Sequence, residues 1–511
     1  MFVNCVSMKF VDKKWPSICR KYLISCYSSK PRKFEDIPGP KSLPIIGTMY
    51  KYLPYIGEYD MNKLHKTGAI KLKHYGPLVR EEMVPGVNIV WVFRPDDIEE
   101  IFRAEAGFYP ERRSHLALAK YRNDRTHVYN CGGLLPTNGP EWWRIRKELQ
   151  KPLSKPQNII NYIGIIDNVI RRFVELCEPK KYDDFLPSLT RLFLELTCLV
   201  AFDVSMNSFS HEEIQKNSKS SKLIEAALTS NSVILRLDNG PQLWRYFRTS
   251  LYKKLYSSQQ FMEDVAVEMV NRKMKKIDNG EVSERESLLE IYLRNKNLDV
   301  KDVIGMACDM LLAGIDTTSN SVAFILYHLA NNVNAQEKIQ READKLLPDS
   351  NNAITSEILR NASYTKAIIK ETFRLNPVSV GVGRILQTDI ILSGYHVPAK
   401  TVVVTQNQVT CRLPEYFLQP DDFIPERWLR NNHNVDKNQK NKKNTHPYLI
   451  LPFGHGSRSC IARRMAEQNM QMLLLRIFRK YNLKWNGGKL DNVSLLINVP
   501  DSPINIEFSS R

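Results

Sequence analysis

The sequence predicts one large, mainly α domain with small β-sheets, preceded by a short basic leader. Three observations predict it. Helical apolar spacing fills most of the 511 residues, whereas strand-like runs such as VNIVWVF (Val87–Phe93) and TVVVTQNQ (Thr401–Gln408) are few and short. The run from Val300 to Leu347 is apolar on nearly every side, as expected of a helix that crosses a core. One proline- and glycine-rich hinge, DIPGPKSLPIIGT (Asp36–Thr48), sets off the first residues, and no second linker divides the body.

The leader is residues 1–33. It carries Lys9, Lys13, Lys14, Arg20, Lys21, Lys30, Arg32 and Lys33 against one acid, Asp12. It lacks the ~20 apolar residues of a spanning helix and the clean apolar core of a secretory signal. Basic, acid-poor and weakly amphipathic, it reads as a mitochondrial transit peptide, with a disordered basic tail as the alternative. The whole chain has a net charge of +18, which calls for an acidic partner, a membrane surface or a nucleic acid and says nothing of fold. Nine cysteines, irregularly spaced and with no C-x-x-C, leave zinc ribbons and thioredoxin-type sites unsupported and fit a reducing compartment. The polar tract Asn431–His446 reads as a surface loop.

Four motifs inside the body carry chemistry. In GPEWWRIRKELQ, Trp142 and Arg146 are i,i+4 on a helix, and an indole N–H beside a guanidinium can bind a carboxylate or merely stack. In the middle of the apolar run stands AGIDTT, Ala313–Thr318. Gly314 and two threonines weaken a helix there. Two readings stand even: a packing accommodation with Thr317 bonded back to a carbonyl, or a helix opened towards a ligand. In KAIIKETFRLNP, Glu371 and Arg374 share a helix face, and the later PDDFIPERW offers Arg427 as a second guanidinium for Glu371. Such a buried network would lock a loop to the core. Last comes PFGHGSRSCIARR. Cys460 sits in a glycine-rich, arginine-flanked loop just ahead of a helix, whose amides favour a thiolate. A nucleophile would need a base, for which His455 is the nearby histidine; an iron ligand needs only the thiolate; a buried structural cysteine is the remaining reading.

FGHGSRSC resembles the haem-binding loop of the cytochrome P-450 family, with Phe453, Gly456, Arg458 and Cys460 at its fixed places. The family order also matches, from Trp142-x-x-x-Arg146 through AGIDTT, Glu371-x-x-Arg374 and Pro425-Glu-Arg-Trp to the cysteine loop. Ala462 stands where glycine is commoner, and Asn376 where histidine is frequent. The resemblance spans the chain after the leader, residues 34–511. It implies the family fold, with heme b buried between the long central helix and the cysteine loop. It implies Cys460 as axial ligand and Trp142, Arg146, Arg384 and Arg458 as propionate partners. It sets Phe453 beside the sulfur, and Gly314 where the distal helix nears the haem. Asp316 and Thr317 become the acid–alcohol pair that delivers protons during oxygen activation.

Within the family, the leader and further detail resemble the mitochondrial clan, whose electrons come from an acidic ferredoxin with its NADPH-dependent reductase. Lys366, Lys370, Arg463 and Arg464 would form the docking patch. Stretches from Gly76 to Asn158 resemble insect enzymes that hydroxylate ecdysteroid precursors at carbon 22, on the matrix side of the inner membrane; insect mitochondrial members that oxidise xenobiotics are the alternative. The lipophilic substrate, a sterol, would be walled by Ser114–Asn130, Ala313, Val378–Val382 and Leu495–Val499. PQLWRYFRTSLYKKLY (Pro241–Tyr256) is expected at the entrance, and two readings of it stand even: peripheral membrane contact or ordinary helix packing. A haem-thiolate isomerase or dehydratase is disfavoured by Thr317. A nucleic-acid-binding protein would explain the charge but not the ordered motifs.

Overall fold

The computed structural model describes residues 30–84, 86–240, 242–281, 286–429 and 446–511. The predicted leader therefore lies outside the described residues except for its last four positions, and the polar tract lies outside them except for His446. Arg32 stacks 3.6 Å from the Tyr395 ring centroid and its amide bonds Gly394 O at 2.9 Å, so the packed body reaches back to Arg32.

The main helices are α1 (Leu64–Tyr75), α2 (Pro95–Arg103), α3 (Leu116–Asn123), α4 (Gly139–Ser154), α5 (Leu186–Phe202), α6 (Lys219–Asn239), α7 (Ser250–Asp278), α8 (Val300–Asn331), α9 (Val333–Leu346), α10 (Ser363–Leu375) and α11 (Arg463–Lys480). The central helix α8 starts where Asp299 and Asp302 form a capping box. From Val303 to Ala330 it is buried apart from a few positions, and α5, itself largely apolar, packs along it. The single helix expected from Val300 to Leu347 is divided at Asn332. The apolar pattern runs on, but Asn332 leaves helical geometry (φ −127°, ψ 84°) and its side-chain amide donates to His328 O at 2.6 Å, ending the ladder. Helix α10 ends at Asn376, whose successor Pro377 disfavours helical geometry in the residue before it.

Strands are short, as the sequence predicts. They are β1 (Leu78–Val84), β2 (Val87–Val92), β3 (Lys181–Tyr182), β4 (Gly383–Ile385), β5 (Ile390–Leu392), β6 (Tyr395–Val397), β7 (Val402–Thr405), β8 (Tyr481–Trp485), β9 (Asn492–Ser494), β10 (Asn498–Pro500) and β11 (Ile506–Ser510). A four-stranded sheet runs β1-β2-β7-β4, antiparallel except for the parallel β2–β7 pair. A three-stranded sheet runs β3-β11-β8, and β5–β6 and β9–β10 are separate hairpins. The helices share one apolar core, and a second cluster lies against the four-stranded sheet. That sheet matters for the site because β4 carries Arg384, and Ile385 N bonds Glu111 O at 2.8 Å, drawing the segment before α3 alongside.

Candidate haem-thiolate site

The cysteine loop is folded by its glycines. Gly454 and Gly456 take φ values of 69° and 73°, a region that other residues resist. The loop closes where the Cys460 amide donates to Phe453 O at 2.8 Å, and α11 begins three residues after the cysteine. Phe453 stands edge-on to Phe373 at 5.5 Å, with the Arg463 guanidinium 5.4 Å from its ring. Among the described cysteines, Cys177, Cys198, Cys308 and Cys411 are buried and Cys131 is intermediate; Cys460 alone has ample accessible surface. Yet its sulfur is deeply set. Burial raises its thiol, partly offset by the Ala462 amide, Arg146 and Arg463. Both observations hold if the accessible side opens inward. Cys308 meets the Tyr129 hydroxyl at 3.5 Å, and Cys411 donates to Arg374 O.

Beside the loop four guanidinium groups crowd together. Arg458 donates to Pro110 O (2.8 Å), Asn138 Oδ1 (2.7 Å) and Thr137 O (2.5 Å), and stacks 4.6 Å from the Trp142 ring. Its buried Nε has no partner among the described residues. Arg146 reaches Ser459 O at 2.7 Å and Gln150 Oε1 at 2.8 Å. Arg384 bonds Glu105, Gly383 O and His455 O. The fourth, Arg112, donates to Leu135 O; it sits in an aperiodic loop, and the ERR run before α3 was the one signal that could have marked it. Burial, then the cations Arg112, Arg384 and Arg146, push Arg458 down to about 8. Burial likewise pushes Arg112 and Arg146 down to about 10. Crowded, desolvated guanidinium groups held mostly by carbonyls suit a ligand bearing carboxylates. The two propionates of heme b fit that description, with Cys460 as the iron ligand.

The AGIDTT segment is unbroken helix. Thr317 Oγ1 donates to Ala313 O at 2.6 Å, which is the back-bonded arrangement. A Cβ at Gly314 would lie 2.8 Å from Thr197 Oγ1, so glycine permits the close approach of α5. Met310, Ala313, Gly314 and Thr317 keep partial accessibility between buried neighbours, an i, i+3, i+4, i+7 stripe on one side of the helix. Asp316 is buried and turned to α6. It accepts from Asn231 Nδ2 at 3.1 Å and Asn320 Nδ2 at 2.5 Å, and burial raises its carboxyl.

The expected wall segments meet near this point. Leu496 N bonds Asn231 O at 3.2 Å, and Asn498 N bonds Val378 O at 2.8 Å. Helix α3 is capped from outside: Asp238, at the end of α6, accepts from the amides of His115, Leu116 and Ala117 at 2.5, 2.9 and 3.5 Å. Within the expected membrane segment, Leu243, Tyr246 and Phe247 are exposed. Trp244 is not: only 2% accessible, it stacks on Tyr252 and donates to Leu237 O, so it belongs to the core.

Glu371 is fully buried and takes five donors. Arg374 binds both oxygens (3.0 and 2.8 Å), and Arg427 Nε (3.0 Å), Trp428 Nε1 (2.9 Å) and the Ile424 amide (3.0 Å) complete the set. Arg374 also binds Cys411 O and Asp422 O. Trp428 and the Ile424 amide went unread in the sequence. On the outer face of the same helix, Lys370 lies 4.1 Å from the Trp428 ring, and its charge feels Arg463. Lys366 bonds Arg360 O, Arg463 pairs with Glu467, and Arg464 bonds Ser154 O.

A family profile described as Cytochrome P450 matches residues 37–508. Cytochrome P450 302a1, mitochondrial, of Drosophila melanogaster is 46% identical over 492 residues, covering 95% of this chain and 97% of that protein. Probable cytochrome P450 301a1, mitochondrial, is 30% identical over 488 residues (93% and 87%), and Ecdysone 20-monooxygenase 30% over 495 residues (94% and 89%), both from the same fly. With the cysteine loop, the arginine recess and the central helix in place, this match across the body settles the family: the chain belongs to the cytochrome P450 family and is a haem-thiolate monooxygenase.

Proposed function

We propose that this monooxygenase works in mitochondria, on the matrix side of the inner membrane, and hydroxylates a sterol, an ecdysteroid precursor at carbon 22. The observation that carries the site assignment is the recess of Arg112, Arg146, Arg384 and Arg458 beside an accessible Cys460. Haem held by a thiolate supplies the oxidising chemistry, activating dioxygen with two electrons and two protons. The chain supplies the rest. The four guanidinium groups and Trp142 would hold the propionates, and Phe453 would lie beside the sulfur. Thr317, its own proton committed to Ala313 O, presents oxygen lone pairs to the accessible stripe and so can receive a hydrogen bond there. Asp316 holds a proton more readily than an exposed carboxyl does.

Support for the substrate comes from the resemblance to insect ecdysteroid hydroxylases and from relatives named as mitochondrial or as an ecdysone monooxygenase. The stripe offers a lipophile Met310, Ala313 and Gly314 rather than charges. A xenobiotic or other lipophile is the alternative. An acidic ferredoxin would dock on Lys366, Lys370, Arg463 and Arg464. Exposed Leu243, Tyr246 and Phe247, next to Arg245 and Arg248, would touch the membrane; among the described residues no helix is long and apolar enough to cross one.

The reduced, carbon-monoxide-bound spectrum tests the site: a thiolate-type Soret band is expected in the wild type and none in Cys460→Ser. Incubation with ferredoxin, its reductase and labelled sterol precursors tests the substrate. A product bearing hydroxyl at carbon 22 is expected, and oxidation of unrelated lipophiles at equal efficiency would sink the steroid reading.

A further inference from the structure

The four guanidinium groups beside Cys460 are bonded almost wholly to neutral atoms. Their partners are the carbonyls of Pro110, Leu135, Thr137, Gly383, His455 and Ser459 and the amides of Asn138 and Gln150. Among the described residues one carboxylate touches any of them, Glu105, which accepts from Arg384 Nε. Glu105 follows α2 and is mostly buried, with its side chain 14% accessible. It also borders the cysteine loop itself: a Cβ at Gly456 would come within 3.3 Å of Glu105 Oε2. Burial raises the Glu105 carboxyl, and the Arg384 guanidinium that bonds it and the nearby charge of Arg458 act against that rise. So Glu105 places a hydrogen-bonded negative charge in the rim between β4 and the loop that carries Cys460, while Glu111, beside β4, acts on Arg458 without touching it.

We infer that Glu105 is a positioning residue that orients Arg384 and sets the reduction potential of the haem-thiolate centre. This rests on Cys460 being the haem ligand. Reduction would add one electron at the centre, delivered by the mediator of the titration. Positive charge around the centre favours that electron, and a fixed carboxylate in a poorly solvated rim opposes it. Glu105 therefore holds the potential below the value that four arginines alone would give. It also holds Arg384 by its Nε edge, leaving the guanidinium plane set by Glu105, Gly383 O and His455 O together.

The test is a spectroelectrochemical titration of the full-length, haem-loaded protein, with Glu105→Gln and Glu105→Asp beside the wild type. The amide keeps the size of the side chain and removes its charge. Its ferric-to-ferrous equilibrium constant is expected to rise about tenfold, about 59 mV for a one-electron couple. Glu105→Asp, which keeps the charge, is expected to return at least half of that shift. Glu105→Ser serves as a second neutral variant, with no amide donor against Arg384. Unchanged midpoints in neutral variants that retain the thiolate-type band would overturn the role. So would failure of both neutral variants to take up haem, because the charge would then build the site rather than tune it. Absence of that band in the wild type would instead strike the assignment of Cys460.

Discussion

At His328 the surroundings decide the charge. The ring lies inside α8, stacks at 4.7 Å on Phe423, and its Nε2 meets Asn376 Oδ1 at 2.8 Å. Burial pushes it down to about 4 from an ordinary 6.5. Between those values the unfolded chain takes up a proton that the folded chain refuses. Stability is therefore intact above about pH 6.5, falls as pH drops towards 4, and levels off below. At about 1.4 kcal/mol per unit, the loss approaches roughly 3 kcal/mol. In His328→Gln, denaturant melts between pH 4 and 6.5 should show a shallower pH dependence; identical slopes would rule this histidine out as the cause. Asn376 was legible as a departure from the family's usual histidine, but its use was not. Its amide also donates to Asn492 Oδ1 at 2.8 Å, tying the end of α10 to the β9–β10 hairpin. Glu105 was invisible, and Arg112 was marked only by the ERR run, for a related reason. They lie in aperiodic segments, where neither face nor neighbour follows from spacing.

At the scale of elements, α10 and the short 3-10 turn Pro425–Trp428 are joined by one carboxylate. Removing its charge leaves Arg374, at 0% accessibility, with no anion. Glu371→Gln is expected to cost about 3–5 kcal/mol. Arg427→Ala should cost less, because Arg427 keeps 16% accessibility and water can replace part of what is lost. The two variants would be ranked by temperature of inactivation; equal losses would mean that the pair acts as one unit. The i,i+3 spacing and the Asn-Pro stop made Glu371 and Arg374 readable, and the PERW turn made Arg427 readable. The two remaining donors depend on how that turn is wound, which local spacing does not encode. The break between α8 and α9 was hidden for the opposite reason. Apolar periodicity persists through Asn332, while one side-chain amide bonded to His328 O ends the helix.

At the scale of the whole molecule, the basic excess of the sequence is not evenly spread in its consequences. Part of it is turned inward in the arginine recess, whereas buried pairs such as Arg122–Asp309 and Arg476–Asp167 are neutral and leave the excess unchanged. What remains outward near the cysteine loop includes Lys366, Lys370 and Arg463, with Glu467 and Glu342 among them. If that face receives an acidic ferredoxin, Lys366→Glu with Lys370→Glu should raise its apparent Michaelis constant about tenfold and flatten the salt dependence. Unchanged reduction kinetics would place the docking face elsewhere. The architecture was legible in the sequence because a mainly helical chain advertises its periods. The recess was only half legible, because it gathers residues from a loop, a helix, a strand and the cysteine turn.

The Glu371 knot also bears on the order in which the chain can be assembled. A polypeptide delivered N-terminus first presents Glu371 and Arg374 some fifty residues before Ile424, Arg427 and Trp428 arrive to complete the set. Until then the Glu371 carboxylate has Arg374 but not Arg427, Trp428 or the Ile424 amide, and burying it with that set incomplete carries a penalty. The cysteine turn comes later still. A chain stalled before residue 424 would therefore lack the clasp that fastens α10, the thiol that follows and the whole of α11.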